Sequence, residues 1–283
     1  MGDVGFTIMS HRNPAQLQRL TLRLDTLYEP TAIACHHDFG RIDLELSAFP
    51  KSVVFVEPHW QTQWGTISLV MAGLSALDLL YRVSDPEWFI MLSESDYPVR
   101  APERVLDELR QAEWDAFLDH REIRQDPTIG LKWRRETIRS HAQPEWRELA
   151  FSRYLAVRRY PLAPHACTRT QLRCFAGDQW LTGNRRAAQS LLAATSSDSP
   201  ILNHFCWCPV PDEAVYHTIL CNDASLSICS DNRRYSDWSA GGKHPKELGV
   251  DDISSIVRSD ADFARKFRAN SEVLDEFDRL LGS

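Results

Sequence analysis

Strands and helices alternate along the first hundred residues, and that alternation narrows the possible folds more than any other feature of the chain. Residues 4–10, VGFTIMS, form an apolar run that reads as a buried strand. Behind it, Asn13-Pro14 supplies an N-cap residue and a proline for the first helical position. Leu17, Leu20, Leu24 and Leu27 then recur at three- and four-residue steps, the period of an amphipathic helix. TAIACHHD and SVVFVEP read as two further strands, and residues 64–82 as a long helix with Leu69, Leu74, Leu79 and Leu80 on its apolar stripe. FIMLSESDYP follows as the next strand. Such a chain is of the α/β class, with a doubly wound, mostly parallel central sheet flanked by helices.

In sheets of this kind ligands bind beyond the carboxyl ends of the strands. SHRN, HHD and SESD all stand where a strand has just finished, so three polar clusters gather on one rim. Helix caps and turns would account for any one of them; three on the same rim point to a site. Adjacent on a strand, His36 and His37 face opposite sides of the sheet and do not readily share a metal.

Composition sets further bounds. The 283 residues, 43% apolar and 25% charged, are those of an ordinary globular protein with a sizeable core. A net charge of −7 argues against a nucleic-acid partner, which asks for a basic face. No stretch reaches 18 consecutive apolar residues, so no transmembrane helix is expected, and the N-terminus does not resemble a signal peptide. The seven cysteines (Cys35, Cys167, Cys174, Cys206, Cys208, Cys221 and Cys229) contain no CxxC pair and read as reduced, mostly buried thiols. Cys206-Trp207-Cys208 as half a zinc site is the lesser alternative. GxxxxGK[ST], GxGxxG, HExxH and GxSxG are all missing, which removes the commonest nucleotide, metalloprotease and hydrolase readings.

Residues 101–165 turn polar and basic, with Arg and Trp interleaved; this suits either a groove for sugars or single-stranded nucleic acid, or a solvated helical face. CFAGDQWLTGNRRAAQSLLAA then reads as strand, glycine turn and helix. PVPDEAVYHTIL reads as a short loop and a helix opened by Pro211, with Asp212 and Glu213 in a first turn whose dipole favours negative charge. The remainder holds a strand, a glycine loop and a final pair of helices, with Lys266 on the terminal helix.

Trp64-Gly65-Thr66, LSESDYPVR, GDQW (Gly177 to Trp180), PDE (Pro211 to Glu213) with Thr218, RYSDW (Arg234 to Trp238), KHPK (Lys243 to Lys246) and FARKF (Phe263 to Phe267) occur in that order. In this order they resemble the motifs of the core-2/I-branching glycosyltransferases, glycosyltransferase family 14. RYSDW and FARKF look nearer the peptide O-xylosyltransferase branch. The resemblance runs from SHRNPAQLQRL to FARKF and implies one GT-A glycosyltransferase domain over residues 1–283. Within it, residues 1–100 would be the nucleotide-binding half and 101–283 the acceptor and catalytic half. The family implies a UDP-sugar donor, xylosyl- or N-acetylglucosaminyl-type transfer with inversion, no divalent metal and no other cofactor. In keeping with that, the one Asp-x-Asp, Asp260-Ala261-Asp262, lies in the C-terminal segment and not behind a central strand.

Site residues follow from the same resemblance. Glu213 matches the general base that takes the proton from the acceptor hydroxyl, while Asp212 reads as a helix cap. Lys243 and Lys266 match the two basic residues that neutralise the departing diphosphate with charge already in place. His11 and Asp38 resemble residues that hold the nucleotide, Asp96 anchors the loop beside the donor, and Arg265 belongs with them on the donor side. On the acceptor side stand Trp238, which matches an aromatic that stacks on the sugar, together with Trp180, Glu122, Arg134 and Arg135. The implied partners are a nucleotide-sugar donor and a glycan, glycolipid, peptide or small-molecule hydroxyl acceptor. The chain shows neither the Golgi anchor nor the stem of animal relatives, and reads as a bacterial cytoplasmic enzyme or a soluble catalytic domain. The alternative from another class is a non-catalytic nucleotide-sugar or glycan-binding protein on the same fold.

Overall fold

The computed structural model of the chain describes residues 2–123, 173–195, 199–206, 210–241, 244–269 and 271–282. In chain order the elements are β1 (Val4–Ser10), α1 (Pro14–Leu27), β2 (Ala32–His37), β3 (Val53–Phe55), α2 (Ile67–Val83), β4 (Trp88–Ser93), β5 (Asp96–Pro98), α3 (Pro102–Arg110), β6 (Ala116–Phe117) and β7 (Arg121–Glu122). They continue with β8 (Phe175–Ala176), β9 (Thr182–Asn184), α4 (Arg185–Ala193), α5 (Pro200–Phe205), α6 (Val215–Asn222), β10 (Ile228–Cys229), β11 (Arg234–Ser236), α7 (Ile253–Ser259), β12 (Phe263–Arg265) and α8 (Glu272–Leu280).

The seven-stranded sheet has the order β10-β6-β9-β4-β1-β2-β3. Neighbours pair in parallel except at β9, which runs antiparallel to both β4 and β6. The expected doubly wound, mostly parallel sheet is therefore present, with one reversed strand inside it. Period-two alternation explains why it is covered on both faces. Val4, Phe6 and Ile8 of β1, with Ile90 and Leu92 of β4, join Leu17, Leu20 and Leu24 of α1 in one apolar cluster. Met9, Phe89 and Met91 point the other way and pack with Val70, Leu74, Leu77 and Leu80 of α2. Each such side chain, fully buried, contributes about 1.5–3 kcal/mol of transfer free energy, so the strand ends project from a well-packed support.

Several local expectations are corrected. Asn13 is the N-cap of α1, but its side chain makes no capping bond. FIMLSESDYP is two strands, because the chain turns after Ser93 and β5 leaves the main sheet. FARKF is not helical: Phe263 and Ala264 are fully buried, and β12 pairs parallel with β11 and antiparallel with β5. That register sets Arg265 opposite Asp96. Lys266 therefore follows a strand end, like the other rim residues. Cys174 is disulfide-bonded, against the expectation of reduced thiols throughout; Cys35, Cys206, Cys221 and Cys229 are free, while Cys167 and Cys208 lie outside the described residues. Among the described residues no helix is long and apolar enough to cross a membrane.

Candidate functional site

At the carboxyl ends of β1, β2 and β4 the three polar clusters meet as the sequence suggests. Glu94 organises the first. Buried between strands, its Oε2 accepts from Ser10 Oγ at 2.5 Å and from the backbone N–H groups of His11 at 2.9 Å and Arg12 at 3.3 Å. The His11 ring lies 3.6 Å from its Oε1, and burial lowers the imidazole pKa below its ordinary value against the opposing field of Glu94. One carboxylate thus fixes the loop that carries His11 and Arg12.

Asp38 fixes the second loop. Its Oδ2 accepts from Thr62 N and Thr62 Oγ1, each at 2.8 Å, and from Arg41 Nε at 3.1 Å. Burial pushes this carboxyl up, but the bonds from Thr62 and Arg41 outweigh burial and hold it below the usual carboxylate range. Asp96 fixes the third: its Oδ2 accepts from Ser93 N at 2.6 Å and from Ser93 Oγ, and its Oδ1 lies 3.4 Å from Arg265 Nε. Arg265 in turn sits over the Trp180 ring at 4.4 Å, a cation–π contact.

These loops wall a cavity of about 380 Å³. Among the described residues its cationic side chains are Arg12, Arg41, Arg265 and Lys266, with His11 and His244 beside them, and Glu213, Asp178, Trp180 and Trp238 also line it. Lys266 is half-buried; burial first, then the fields of Arg265 and Arg12, lower its ammonium pKa below the ordinary lysine value. A second cavity of about 570 Å³ is lined among others by Arg121, Gly177, Asn232, Arg234 and Ser236. Among the described residues three belong to both walls: Asp178, Glu213 and Trp238.

Glu213 reaches this junction on a single 3₁₀ turn, Pro211–Glu213, opened by Val210 in the left-handed region at φ 49°. A β-branched residue there is strained. The turn is tied down by Gly177, whose N–H donates to the Glu213 carbonyl at 3.0 Å. Only glycine serves at 177, since a Cβ would stand 1.8 Å from the Asp119 carbonyl oxygen. Helix α6 takes Ala214 as its N-cap, so Asp212 is not the cap the sequence suggested; it is buried and lines the first cavity.

The structure thus gathers Glu213, Lys266, His11, Arg265, Trp180 and Trp238 around one cavity. Asp38 and Asp96 stand one step behind, holding residues that line it. Trp180, just before β9, lines the first cavity and not the second, with Arg265 over its ring. Glu122 lines neither cavity; it pairs with Arg173 at 2.8 Å, and its neighbour Arg121 takes the wall position. Lys243, Arg134 and Arg135 lie outside the described residues. Missed by the sequence reading were Arg12, Glu94 and Asp178, each sitting inside a motif already singled out: SHRN, SESD and GDQW. Among the described residues no group of three His, Cys, Asp or Glu is placed to hold a metal. Asp260 and Asp262 are bound to Arg100, at 3.0 Å and 3.2 Å, and Asp262 also to Arg233.

The sequence profile described as Core-2/I-Branching enzyme matches residues 5–259. The chain belongs to the Core-2/I-Branching enzyme family. Among curated proteins, this family member is 26% identical over 238 residues to "Beta-glucuronosyltransferase GlcAT14B" of Arabidopsis thaliana, covering 82% of this chain and 52% of that protein. It is 25% identical over 209 residues to "Beta-glucuronosyltransferase GlcAT14A" of the same plant, covering 72% and 44%. The chain spans about half the length of these relatives. Of solved structures, the galactosyltransferase LgtC in complex with donor and acceptor sugar analogs superposes with a TM-score of 0.42 at 6% identity, over 98% of this chain and 95% of that one. That likeness is too low to carry an argument, and the placement in the Core-2/I-Branching family rests on the sequence match.

Proposed function

We propose that this Core-2/I-Branching family member is a metal-independent, inverting glycosyltransferase of the GT-A type. It would move a sugar, of the xylosyl or N-acetylglucosaminyl kind, from UDP to an acceptor hydroxyl. The observation that carries the reading is the meeting of two cavities at Glu213. Inverting displacement needs the incoming hydroxyl and the leaving group on opposite faces of the sugar, with a carboxylate beside the incoming one. A wall shared by a cation-lined cavity and a second, aromatic-edged cavity meets that requirement.

In this reading the nucleotide sugar occupies the cation-lined cavity and the acceptor the other, against Trp238. Glu213 takes the proton from the acceptor hydroxyl as its oxygen bonds to the anomeric carbon. The bond from that carbon to the diphosphate oxygen breaks, and UDP departs with the electron pair. Lys266, with Lys243 proposed as its partner, stabilises the charge that develops there. Arg12 and Arg41 extend the positive wall; His11 and, through Arg41 and Thr62, Asp38 shape the nucleotide site. Support comes from family membership and from relatives whose names record sugar transfer.

Purified protein given a UDP-sugar and an acceptor is expected to release UDP at the same rate with EDTA in excess. Loss of release that added Mg²⁺ or Mn²⁺ restores would remove the metal-free clamp from the account.

A further inference from the structure

Among the described residues only Asp178, Glu213 and Trp238 line both cavities, and with Glu213 assigned as base and Trp238 as stacking surface, Asp178 is the member without a role. Resting on the reading above, we infer that Asp178 is a specificity-determining residue that makes the donor a neutral, hydroxyl-bearing sugar and turns away a uronate.

The charge of the donor cavity is divided. Arg12, Arg41 and Lys266 line that cavity alone, together with Asp212 and with Glu94, whose Oε2 is taken up by Ser10 Oγ and the His11 and Arg12 N–H groups. Among the described residues the wall shared with the acceptor cavity carries the carboxylates of Asp178 and Glu213 and no cation. A diphosphate held by the cations therefore leaves the transferred sugar facing acid. The Asp178 carboxylate is bonded by the Gln179 backbone N–H and, at 3.4 Å, by Asn232 Nδ2 to Oδ2, and among the described residues no cation lies within ion-pair distance. Sugar hydroxyls add to these bonds, because a hydroxyl donating to a carboxylate makes a charge-assisted bond.

Among the described residues, two cations stand in electrostatic contact with Asp178, Arg265 and Arg234, and both are engaged. Arg265 is engaged by Asp96 and stacked on Trp180. Arg234 is ringed by oxygens, those of Asn232 at 3.0 Å, Met91 and Thr182 at 3.4 Å and Leu181 at 3.5 Å. The surroundings already disfavour one negative charge: burial raises the Asp178 carboxyl pKa above its usual value, and Asp96 and Glu213 add to this against Arg265. A second anion beside it meets the same opposition, which is how specificity is obtained by repulsion.

The test is calorimetric titration of UDP, UDP-glucose, UDP-xylose and UDP-glucuronate into wild-type protein, Asp178→Asn and Asp178→Ser. The wild type is expected to bind UDP-glucuronate about tenfold or more weakly than UDP-glucose, since like charges brought together cost several kcal/mol. Either variant is expected to narrow that gap to about threefold or less, with the affinity for UDP itself unchanged. Wild-type protein that binds UDP-glucuronate as tightly as UDP-glucose overturns the inference, and so does a variant that keeps the full gap while still binding UDP. Should neither variant fold, the wild-type ratio decides alone. Wild-type protein that binds no UDP sinks the donor-cavity reading together with the inference, whereas UDP binding without discrimination sinks the inference only.

Discussion

Glu213→Gln is expected to lower kcat by roughly 10²-fold or more, the range for loss of a positioned general base, while the Kd for UDP stays within about twofold because the base touches the acceptor and not the phosphates. The substitution preserves the shape of the side chain and leaves intact the backbone bond from Gly177 N–H that seats the turn. A fall in kcat with unchanged nucleotide binding would therefore report lost proton transfer and not a collapsed site. UDP release measured at saturating donor and acceptor, beside calorimetry with UDP, separates the two. A variant with full turnover would mean that some other group takes the proton.

The second large effect is expected at Lys266. Lys266→Met should cost about 10²–10³-fold in kcat, as loss of one preplaced donor to a developing oxyanion does elsewhere, and should weaken UDP as well. Lys266→Arg is expected to recover only part of this, because a planar fork does not reproduce a compact point charge. The depressed ammonium gives a pH signature. In the free protein Lys266 loses its proton below the ordinary lysine range; a bound pyrophosphate favours the charged form and raises that pKa. UDP binding should then take up a proton in this range, and affinity should fall as pH rises through the Lys266 pKa, a dependence that Lys266→Met abolishes. Calorimetry in buffers of different ionisation enthalpy reads the proton directly; an identical alkaline fall in Lys266→Met would place the titrating group elsewhere.

The alternation of β1, α1, β2 and α2 was open to inspection in the sequence because each strand is a continuous apolar run and each helix repeats its leucines on one face. The gathering of SHRN, HHD and SESD on one rim followed from that alternation alone. What the text could not give was set by contacts distant along the chain. FARKF reads as helical on its own, but Phe263 fits the core beside Phe6 at 6.2 Å, and pairing with β5 makes it a strand. Asp178 is invisible as a site residue because its position depends on the short β8–β9 turn meeting the Glu213 turn across 35 residues of sequence. Glu94 and Asp96 lie two residues apart in one motif, yet one holds the β1 loop and the other holds Arg265; spacing does not distinguish them. Trp180 was recognised by its motif, but the Arg265 over its ring comes from β12, a contact that no local pattern marks.

The most direct test of the proposal that fixed cations stand in for a metal is a crystal structure with UDP bound, grown once with EDTA and once with Mn²⁺. In both, the pyrophosphate is expected within hydrogen-bond distance of Lys266 Nζ, in the cavity that Arg12 and Arg41 also line, with no metal between the phosphates and the protein. A nucleotide seated away from Lys266, or a Mn²⁺ ion bridging its phosphates, would contradict it.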